Sequence, residues 1–333
     1  SIFFCLATQL SQVQFSGISQ IWKGCLQQNT RIQIARAKIK CLIHYFTRIT
    51  ESTPSGVLTF SRVGLTPKNV PNWGKSKKRM SKLHITSEGS IETEGQGMLQ
   101  VDFANKFVGG GVLTSGMAQE EIRFSVCPEL LVSLLFTEAL EDNEVLLMLG
   151  AEQFSQYRGY SNTFTFDGPH DDLTGKDEQG RRETAIVAID AIKFSHSITF
   201  GQLQFEKEKM NRELSKAFIG FSNHGAISGQ LQAVATGNWG CGAFGGDVRL
   251  KFLIQLMAAS ENMRDMAYFT FGDKTLVSEA GKIHRLLVKR SVTVGQLYKI
   301  IMDYCLKSGT KSGRELYKDI FKNLENNSEC SLF

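Results

Sequence analysis

Residues 95–112 read Gly-Gln-Gly-Met-Leu-Gln-Val-Asp-Phe-Ala-Asn-Lys-Phe-Val-Gly-Gly-Gly-Val, and Gln-Glu-Glu follows at 119–121. The apolar run Met98 to Phe103 predicts a strand that is covered on both faces. The glycine triplet after it predicts a loop whose backbone comes close to a phosphate. Adjacent carboxylates at Glu120 and Glu121 beside such a loop repel each other, so one is expected to have the raised pKa of a general acid. The alternative is a solvated acidic turn ahead of a helix.

A second glycine-rich stretch covers residues 235–247, which read Ala-Thr-Gly-Asn-Trp-Gly-Cys-Gly-Ala-Phe-Gly-Gly-Asp. Two such loops suit a diphosphate held from both sides, although either one alone could equally be a mobile turn. Gly240-x-Gly242-x-x-Gly245, with Asp273 after the next strand, imitates a dinucleotide-binding fingerprint. Only 88 residues follow Gly245, with one convincing strand, so a nicotinamide oxidoreductase is the weaker interpretation.

Short apolar runs alternate with segments of helical periodicity between about residues 53 and 275, which predicts an α/β layered domain. The predicted strands are Val57 to Arg62, Met98 to Phe103, Val145 to Leu149, Ala185 to Ile192, Ala233 to Ala235 and Ala267 to Phe271. The predicted helices are Arg31 to Phe46, Pro128 to Leu140, Glu206 to Ile219, Val248 to Ser260 and Val294 to Leu306. The polar stretch Phe166 to Arg182 is predicted to be a surface loop.

Composition indicates a globular protein, with 42% hydrophobic and 21% charged residues among 333. No apolar run is long enough for a membrane span, and the first residues lack the features of a leader, so we expect a soluble intracellular protein. Seven scattered cysteines without a Cys-x-x-Cys pair predict reduced thiols and no metal site. Residues 1–50 carry six Lys or Arg and no Asp or Glu, which fits either a solvated helix face or attraction to a polyanion.

The motifs together resemble the poly(ADP-ribose) glycohydrolases, whose signature is a glycine triplet, a short spacer and Gln-Glu-Glu. The resemblance spans about residues 45 to 305 and includes Gly95 to Asn105, Thr184 to Ile192, the second glycine-rich loop through Leu250, and Tyr268 to Asp273. It implies a macrodomain-like α/β/α fold with a mixed sheet, a helical accessory region at the N-terminus and C-terminal helices. The implied domains are an accessory region at 1–50, a catalytic domain at 51–310 and a C-terminal tail at 311–333.

The resemblance also implies roles for individual residues. Glu121 is the implied acid/base, Glu120 grips the ribose beside the scissile bond, and Asp102 and Asn105 support that region. Asp102 could equally cap local backbone, and Asp247 is better explained as a helix N-cap. Tyr160 and Phe271 pack around the adenosine, unless they are ordinary core aromatics. By the same resemblance Ile91 and Glu92 read adenine, and the diphosphate is cradled by the triplet Gly109, Gly110 and Gly111 and by Gly240, Cys241, Gly242, Ala243 and Phe244. The remaining implied substrate-binding residues are Gln119 and Asn238.

The implied reaction is hydrolysis of ribose–ribose O-glycosidic bonds in poly(ADP-ribose), through an oxocarbenium-like transition state, with release of ADP-ribose. Its partners would be the polymer and ADP-ribosylated proteins in the DNA damage response, with no cofactor, no nucleic-acid readout and no membrane. The enzyme would be a monomer in the nucleus or the cytoplasm, with endo or exo preference left open. The alternative is a module that binds ADP-ribose without turning it over.

Two departures from the family pattern lead to expectations of their own. Phe154 stands where the family often has Tyr, a change expected to be minor. The apolar pattern is already running at Ser1, so the sequence is expected to begin inside a longer chain with part of the helical layer absent. Unpartnered apolar faces in residues 1–50 would then make the isolated chain marginally stable or prone to aggregation.

Overall fold

Nine strands and eight α-helices are defined in the computed structural model, which describes residues 30–194, 201–223 and 231–326. The strands are β1 (Thr59–Gly64), β2 (Leu83–Thr86), β3 (Leu99–Ala104), β4 (Glu144–Leu149), β5 (Ser155–Arg158), β6 (Thr165–Pro169), β7 (Ala185–Asp190), β8 (Val234–Gly237) and β9 (Met266–Phe269). The helices are α1 (Thr30–Glu51), α2 (Ile91–Glu94), α3 (Gln119–Val126), α4 (Lys207–Gly220), α5 (Val248–Glu261), α6 (Lys274–Lys289), α7 (Val294–Leu306) and α8 (Gly313–Asn326).

Seven of the strands form one mixed sheet in the order β1-β4-β7-β3-β8-β9-β2. β4 pairs antiparallel with β7, whereas β3 with β8, β8 with β9, and β9 with β2 pair in parallel. β5 and β6 make a separate antiparallel pair. The mixed sheet with helices before, between and after its strands confirms the predicted α/β class.

All six predicted strands are confirmed, with ends that shift by at most two residues. Four of the five predicted helices are confirmed as α1, α4, α5 and α7. The helix predicted at Pro128 to Leu140 is wrong, because Pro128–Leu135 is a 3₁₀ segment. Pro128 cannot donate the backbone bond that would continue α3, so the chain restarts in tighter turns.

The predicted surface loop is also wrong at its beginning. Strand β6 occupies Thr165–Pro169, where Phe166 lies opposite Tyr157 of β5. One apolar residue between exposed neighbours is too short a pattern to predict a strand. The first 29 residues of the predicted accessory region lie outside the described residues, and the division at 50 and 310 stays a prediction.

By compactness the chain separates into two units, each made of several segments. Among the described residues, unit 1 comprises 30–61, 102–141 and 146–188, and unit 2 comprises 62–101, 142–145, 189–194, 201–223 and 231–326. In unit 1, α1 packs against β6 and α3. Its core includes Ile34, Phe124, Leu130, Met148 and Ile186.

Unit 2 has α5 at its centre, and residues 250–260 of this helix are all buried. Apolar residues occur all around α5, as expected for a helix without a solvent face. It packs against α4, and the Phe252 ring meets Tyr268 of β9 edge-on at 5.3 Å between ring centroids. Among the described residues, no helix has the length and apolar character needed to cross a membrane.

The N-cap assigned to Asp247 is confirmed. Its carboxylate accepts from the backbone N–H groups of Arg249 and Leu250 at 2.9 and 3.1 Å. The other oxygen accepts from the N–H of Gly313, at 2.8 Å, and so links the starts of α5 and α8. Asp247 is therefore a structural residue.

Asp247→Ala is expected to lower the free energy of unfolding by about 2 kcal/mol, since an N-cap contributes ~1 kcal/mol and a hydrogen bond a similar amount. Asp247→Asn retains one oxygen for the cap and loses the acceptor for Gly313, so about half of that loss is expected. Denaturant titration measures both, with Thr293→Ala at the cap of α7 as a single-bond control. Equal losses in the Ala and Asn variants would contradict the two-part role of Asp247.

Candidate active site

The Gln-Glu-Glu motif forms the first turn of α3 in unit 1, and both carboxylates are buried against backbone N–H groups. Glu120 accepts from the N–H groups of Gly109 at 2.6 Å and Asn105 at 2.9 Å. Glu121 accepts from those of Gly111 at 2.9 Å and Ala118 at 2.7 Å. We call this arrangement the carboxylate clasp. Its negative charges also lie at the positive end of the helix dipole.

Glycine is required within the carboxylate clasp. Gly110 has φ +49°, a conformation that favours glycine. A Cβ atom there would lie 2.5 Å from Oε1 of Glu121 and 2.7 Å from Oε2 of Glu120. The triplet therefore leaves room for two adjacent carboxylates.

The expected pKa shift falls on Glu120. Burial raises the pKa of its carboxyl group well above the ordinary value, and repulsion from Asp102 and Glu121 adds to the rise. The N–H groups of Asn105 and Gly109 oppose the rise by stabilising the charged form. A buried carboxyl that retains its proton at higher pH is thus part of the site.

The remaining predicted residues near the motif in unit 1 support it. Oε1 of Gln119 accepts from the N–H of Phe103 at 2.8 Å, which ties the start of α3 to β3. The side chain of Asn105 accepts from Phe107 N–H at 3.0 Å, while its own N–H serves Glu120. Asp102 is fully buried on β3 and acts on Glu120 through its charge.

Sequence reasoning missed Lys38, a buried lysine on α1 of the same unit. Its ammonium donates to the carbonyls of Val112, Thr114 and Gly116 at 2.9, 3.1 and 2.5 Å. Burial lowers the pKa of Lys38 to about 8, and attraction to Glu121 partly opposes that fall. The sequence could have identified Lys38 as buried, because it lies four residues from both Ile34 and Leu42, on the apolar face of the predicted helix.

Unit 2 carries the second glycine-rich loop, between β8 and α5. Asn238 fixes its start by donating to the carbonyl of Thr270 at 2.9 Å and accepting from the Tyr268 hydroxyl at 3.1 Å. Gly240 has φ +73°, and a Cβ atom there would lie 2.6 Å from Cβ of Ala191. Lys251, also missed from sequence, lies beneath the loop with Nζ 3.7 Å from the centroid of the Trp239 ring.

The two loops differ in the availability of their backbone donors. In the triplet, the N–H groups of Gly109 and Gly111 donate to the two carboxylates of the clasp. The N–H of Gly110 donates to the Phe107 carbonyl at 3.0 Å. Within the described part of the chain, the N–H groups of Gly242, Ala243 and Phe244 donate to no acceptor. Gly242 and Ala243 are exposed, so the second loop can offer donors to an anion.

The predicted adenosine-binding residues lie in different settings. Ile91 and Glu92 of unit 2 are buried in the single turn of α2, which Ser90 caps by accepting from Thr93 N–H. Tyr160 of unit 1 is 37% exposed and Phe271 of unit 2 is 68% exposed, so the core-aromatic alternative is wrong for both.

Phe271 also has strained backbone. Its φ of +54° is uncommon for a residue with a side chain, and Gly272 follows with φ +84°. Such strain persists where the surrounding structure enforces it and is frequent at ligand sites. It marks Phe271 as a candidate functional residue independently of the sequence motif.

Comparisons with known proteins define the class first. The family model described as poly(ADP-ribose) glycohydrolase, Macro domain fold, matches residues 70–278. The model of the helical domain of the same family matches residues 1–62. The chain is a macrodomain-fold protein and belongs to the poly(ADP-ribose) glycohydrolase family.

Curated relatives support the same placement. Poly(ADP-ribose) glycohydrolase 1 of Arabidopsis thaliana is 33% identical over an alignment of 352 positions, which covers 86% of this chain and 62% of that protein. Poly(ADP-ribose) glycohydrolase 2 of Caenorhabditis elegans is 36% identical over 285 residues, which cover 83% of this chain and 58% of that protein. The chain thus spans less than two thirds of the length of these two relatives.

A solved structure shows weaker similarity. The poly(ADP-ribose) glycohydrolase of Thermomonospora curvata, bound to the inhibitor ADP-HPD, is 16% identical with a TM-score of 0.37. The match covers 70% of this chain and 83% of that one. Similarity at this level is too low to transfer geometry.

The raised pKa of Glu120 predicts a pH dependence of stability. A carboxyl whose pKa is higher in the folded state stabilises the protein fully below the unfolded pKa of about 4.3, and this contribution is lost as pH rises through the folded value. Between the unfolded pKa and the raised folded pKa of Glu120, the unfolding free energy of the wild type should therefore fall relative to Glu120→Gln by up to about 1.4 kcal/mol per pH unit. Denaturant titrations across the pH range measure the difference, with the exposed Glu88→Gln as control. A difference independent of pH would contradict the raised pKa.

Proposed function

We propose that this chain hydrolyses the ribose–ribose O-glycosidic bonds of poly(ADP-ribose) and releases ADP-ribose. The observation that carries the proposal is the carboxylate clasp, which holds two adjacent carboxylates in buried positions. Its glycine triplet and Gln-Glu-Glu turn lie within a chain that belongs to the glycohydrolase family. Buried carboxylates are the usual proton carriers in glycoside hydrolysis.

Glu121 is the proposed acid/base. It is 8% exposed, whereas Glu120 is 2% exposed, so Glu121 is the better placed of the two to reach a substrate. In its protonated form it donates a proton to the departing ribose oxygen while positive charge develops on the anomeric carbon. It then removes a proton from water, whose hydroxyl group bonds to that carbon. Glu120 binds the ribose beside the scissile bond. The N–H group of Asn105 holds Glu120 in place, and Asp102 supports the region from β3.

The second glycine-rich loop is the proposed phosphate binder. The N–H groups of Gly242, Ala243 and Phe244, which donate to no acceptor among the described residues, support this role. The N-terminus of α5 follows shortly after them. Phe271 is proposed to pack on the adenosine, with Ile91 and Glu92 at the adenine. Tyr160, a residue of unit 1, is also proposed to pack on the adenosine.

The same proposal covers the setting of the reaction. The substrate would be polymer attached to ADP-ribosylated proteins, and the enzyme would act as a monomer in the nucleus or the cytoplasm. Reduced thiols suit such a compartment. Light scattering of the purified chain and the location of a tagged chain in cells test these two points.

Paired substitutions test the assignment of the acid/base. Each carboxylate accepts from two backbone N–H groups, so a Gln in either position loses one acceptor and perturbs the clasp to a similar extent. Glu121→Gln should retain ADP-ribose binding and lose at least ~10²-fold in polymer cleavage, the scale of a lost general acid. Glu120→Gln should weaken both cleavage and binding. Release of ADP-ribose is followed by chromatography and binding by calorimetry. Near wild-type cleavage by Glu121→Gln would place the acid/base elsewhere, and binding without cleavage by the wild type would favour the non-catalytic module.

Gly110→Val should abolish both polymer cleavage and the rise in melting temperature that ADP-ribose produces by binding the folded state. A side chain at this position displaces both carboxylates, as the distances from a Cβ atom show. Gly97→Val is the matched control, because Gly97 has φ +73° and a Cβ atom there meets nothing within 4 Å. Thermal unfolding with and without ADP-ribose measures the shift. An unchanged shift in Gly110→Val would remove the triplet from the site.

A further inference from the structure

Lys38 occupies an unusual position for a lysine. It lies on the apolar face of α1 and is 2% exposed. Burial of an ammonium group is costly unless hydrogen bonds replace its water. The contacts of Lys38 therefore show what the charge is used for.

Those contacts are backbone carbonyls of a single short segment, residues 111–116. Three carbonyls, those of Val112, Thr114 and Gly116, lie at hydrogen-bond distance from Nζ, and that of Gly111 is at 3.4 Å. An ammonium has three donors, so this segment alone can saturate it. The segment curls around the charge, because the Gly111 carbonyl also accepts from the N–H groups of Thr114 and Gly116, at 2.9 and 3.1 Å.

The same segment reaches the carboxylate of Glu121 from both ends. Gly111 N–H donates to Oε1, and Ala118 N–H, two residues beyond the segment, donates to Oε2. A Cβ atom on Gly116 would lie 2.6 Å from Oε1 of Glu121. The carboxylate and the segment therefore touch, and a shift of the segment moves the carboxylate.

We propose that Lys38 is a positioning residue for Glu121. Its ammonium fixes the curl of residues 111–116, and the curl fixes the two N–H groups that orient the Glu121 carboxylate. Lys38 touches neither substrate nor reacting atoms in this role. The effect on activity rests on the proposed function, whereas the effect on the loop does not.

The first arm of the test uses kinetics. Lys38→Ala should lower kcat for polymer cleavage by about 10²-fold, the loss expected when a reacting group is misplaced by ~1 Å. KM and the ADP-ribose-induced rise in melting temperature should be unchanged. Lys40→Ala is the matched control, since Lys40 is an exposed lysine on the same helix. Wild-type kcat in Lys38→Ala would overturn the proposal.

Chemical rescue distinguishes an effect of the Lys38 charge from an effect of the volume of its side chain. Small primary alkylammonium ions can enter the space that Lys38→Ala vacates and donate to the same carbonyls, so they should restore kcat in a saturable way. Alcohols of equal size and tetramethylammonium should not, because the alcohols lack the charge and tetramethylammonium lacks the donors. Equal rescue by an alcohol would show that Lys38 only fills space and would overturn the proposal.

Amide hydrogen exchange tests the loop without any activity. The N–H groups of Gly111 and Ala118 should exchange faster in Lys38→Ala than in wild type or Lys40→Ala, and alkylammonium should slow them again. Unchanged exchange at both amides overturns the proposal even if cleavage is lost. If the wild type cleaves no polymer, the proposed function fails while this arm still decides the role of Lys38. If Lys38→Ala folds only when alkylammonium is added, an alcohol of equal size is the control. Equal folding with the alcohol would overturn the proposal.

Discussion

Four backbone N–H groups replace water as hydrogen-bond donors to two adjacent buried carboxylates, and the rest of the candidate site depends on this clasp. Like charges in a buried setting repel strongly, so each needs donors that are already in place. Residues 105, 109, 111 and 118 supply those donors from a loop that only glycine at position 110 permits. The energetic conflict is resolved in part by proton retention, since the pKa of Glu120 lies well above its ordinary value. A buried pair of adjacent carboxyl groups that retains a proton suits general acid/base chemistry.

The two glycine-rich loops resemble each other in sequence and differ in use. Two N–H groups of the triplet, those of Gly109 and Gly111, donate to the protein's own carboxylates. In the second loop, the successive N–H groups of Gly242, Ala243 and Phe244 donate to no acceptor among the described residues. Each loop lies against a buried lysine. Lys38 holds the segment after the triplet, and Lys251 lies beneath Trp239. The expectation that the triplet cradles a diphosphate stays a prediction, and its N–H groups are engaged in the structure described.

Much of the fold follows from sequence because its strands and central helices are apolar runs with clear ends. β7 and α5 are predicted to within two residues. The short edge strand β2 escapes prediction because it pairs with β9, which is distant in sequence. The β5–β6 pair escapes prediction because its residues alternate weakly. The Gln-Glu-Glu motif identifies the carboxylates, but their donors cannot be read from sequence because backbone N–H groups carry no residue signature. The same holds for Lys38, whose partners are carbonyls more than seventy positions away.

The proposed reaction of the clasped carboxylates is hydrolysis of a glycosidic bond. Incubation of the purified chain with poly(ADP-ribose) in water labelled with heavy oxygen, followed by mass spectrometry of the products, tests it most directly. We expect release of ADP-ribose that carries one heavy oxygen at the anomeric carbon of the cleaved ribose, in excess of the label that unlabelled ADP-ribose takes up in the same time by exchange through its open-chain aldehyde. Polymer that stays intact in the presence of folded chain that binds ADP-ribose, or products without the label, would contradict it.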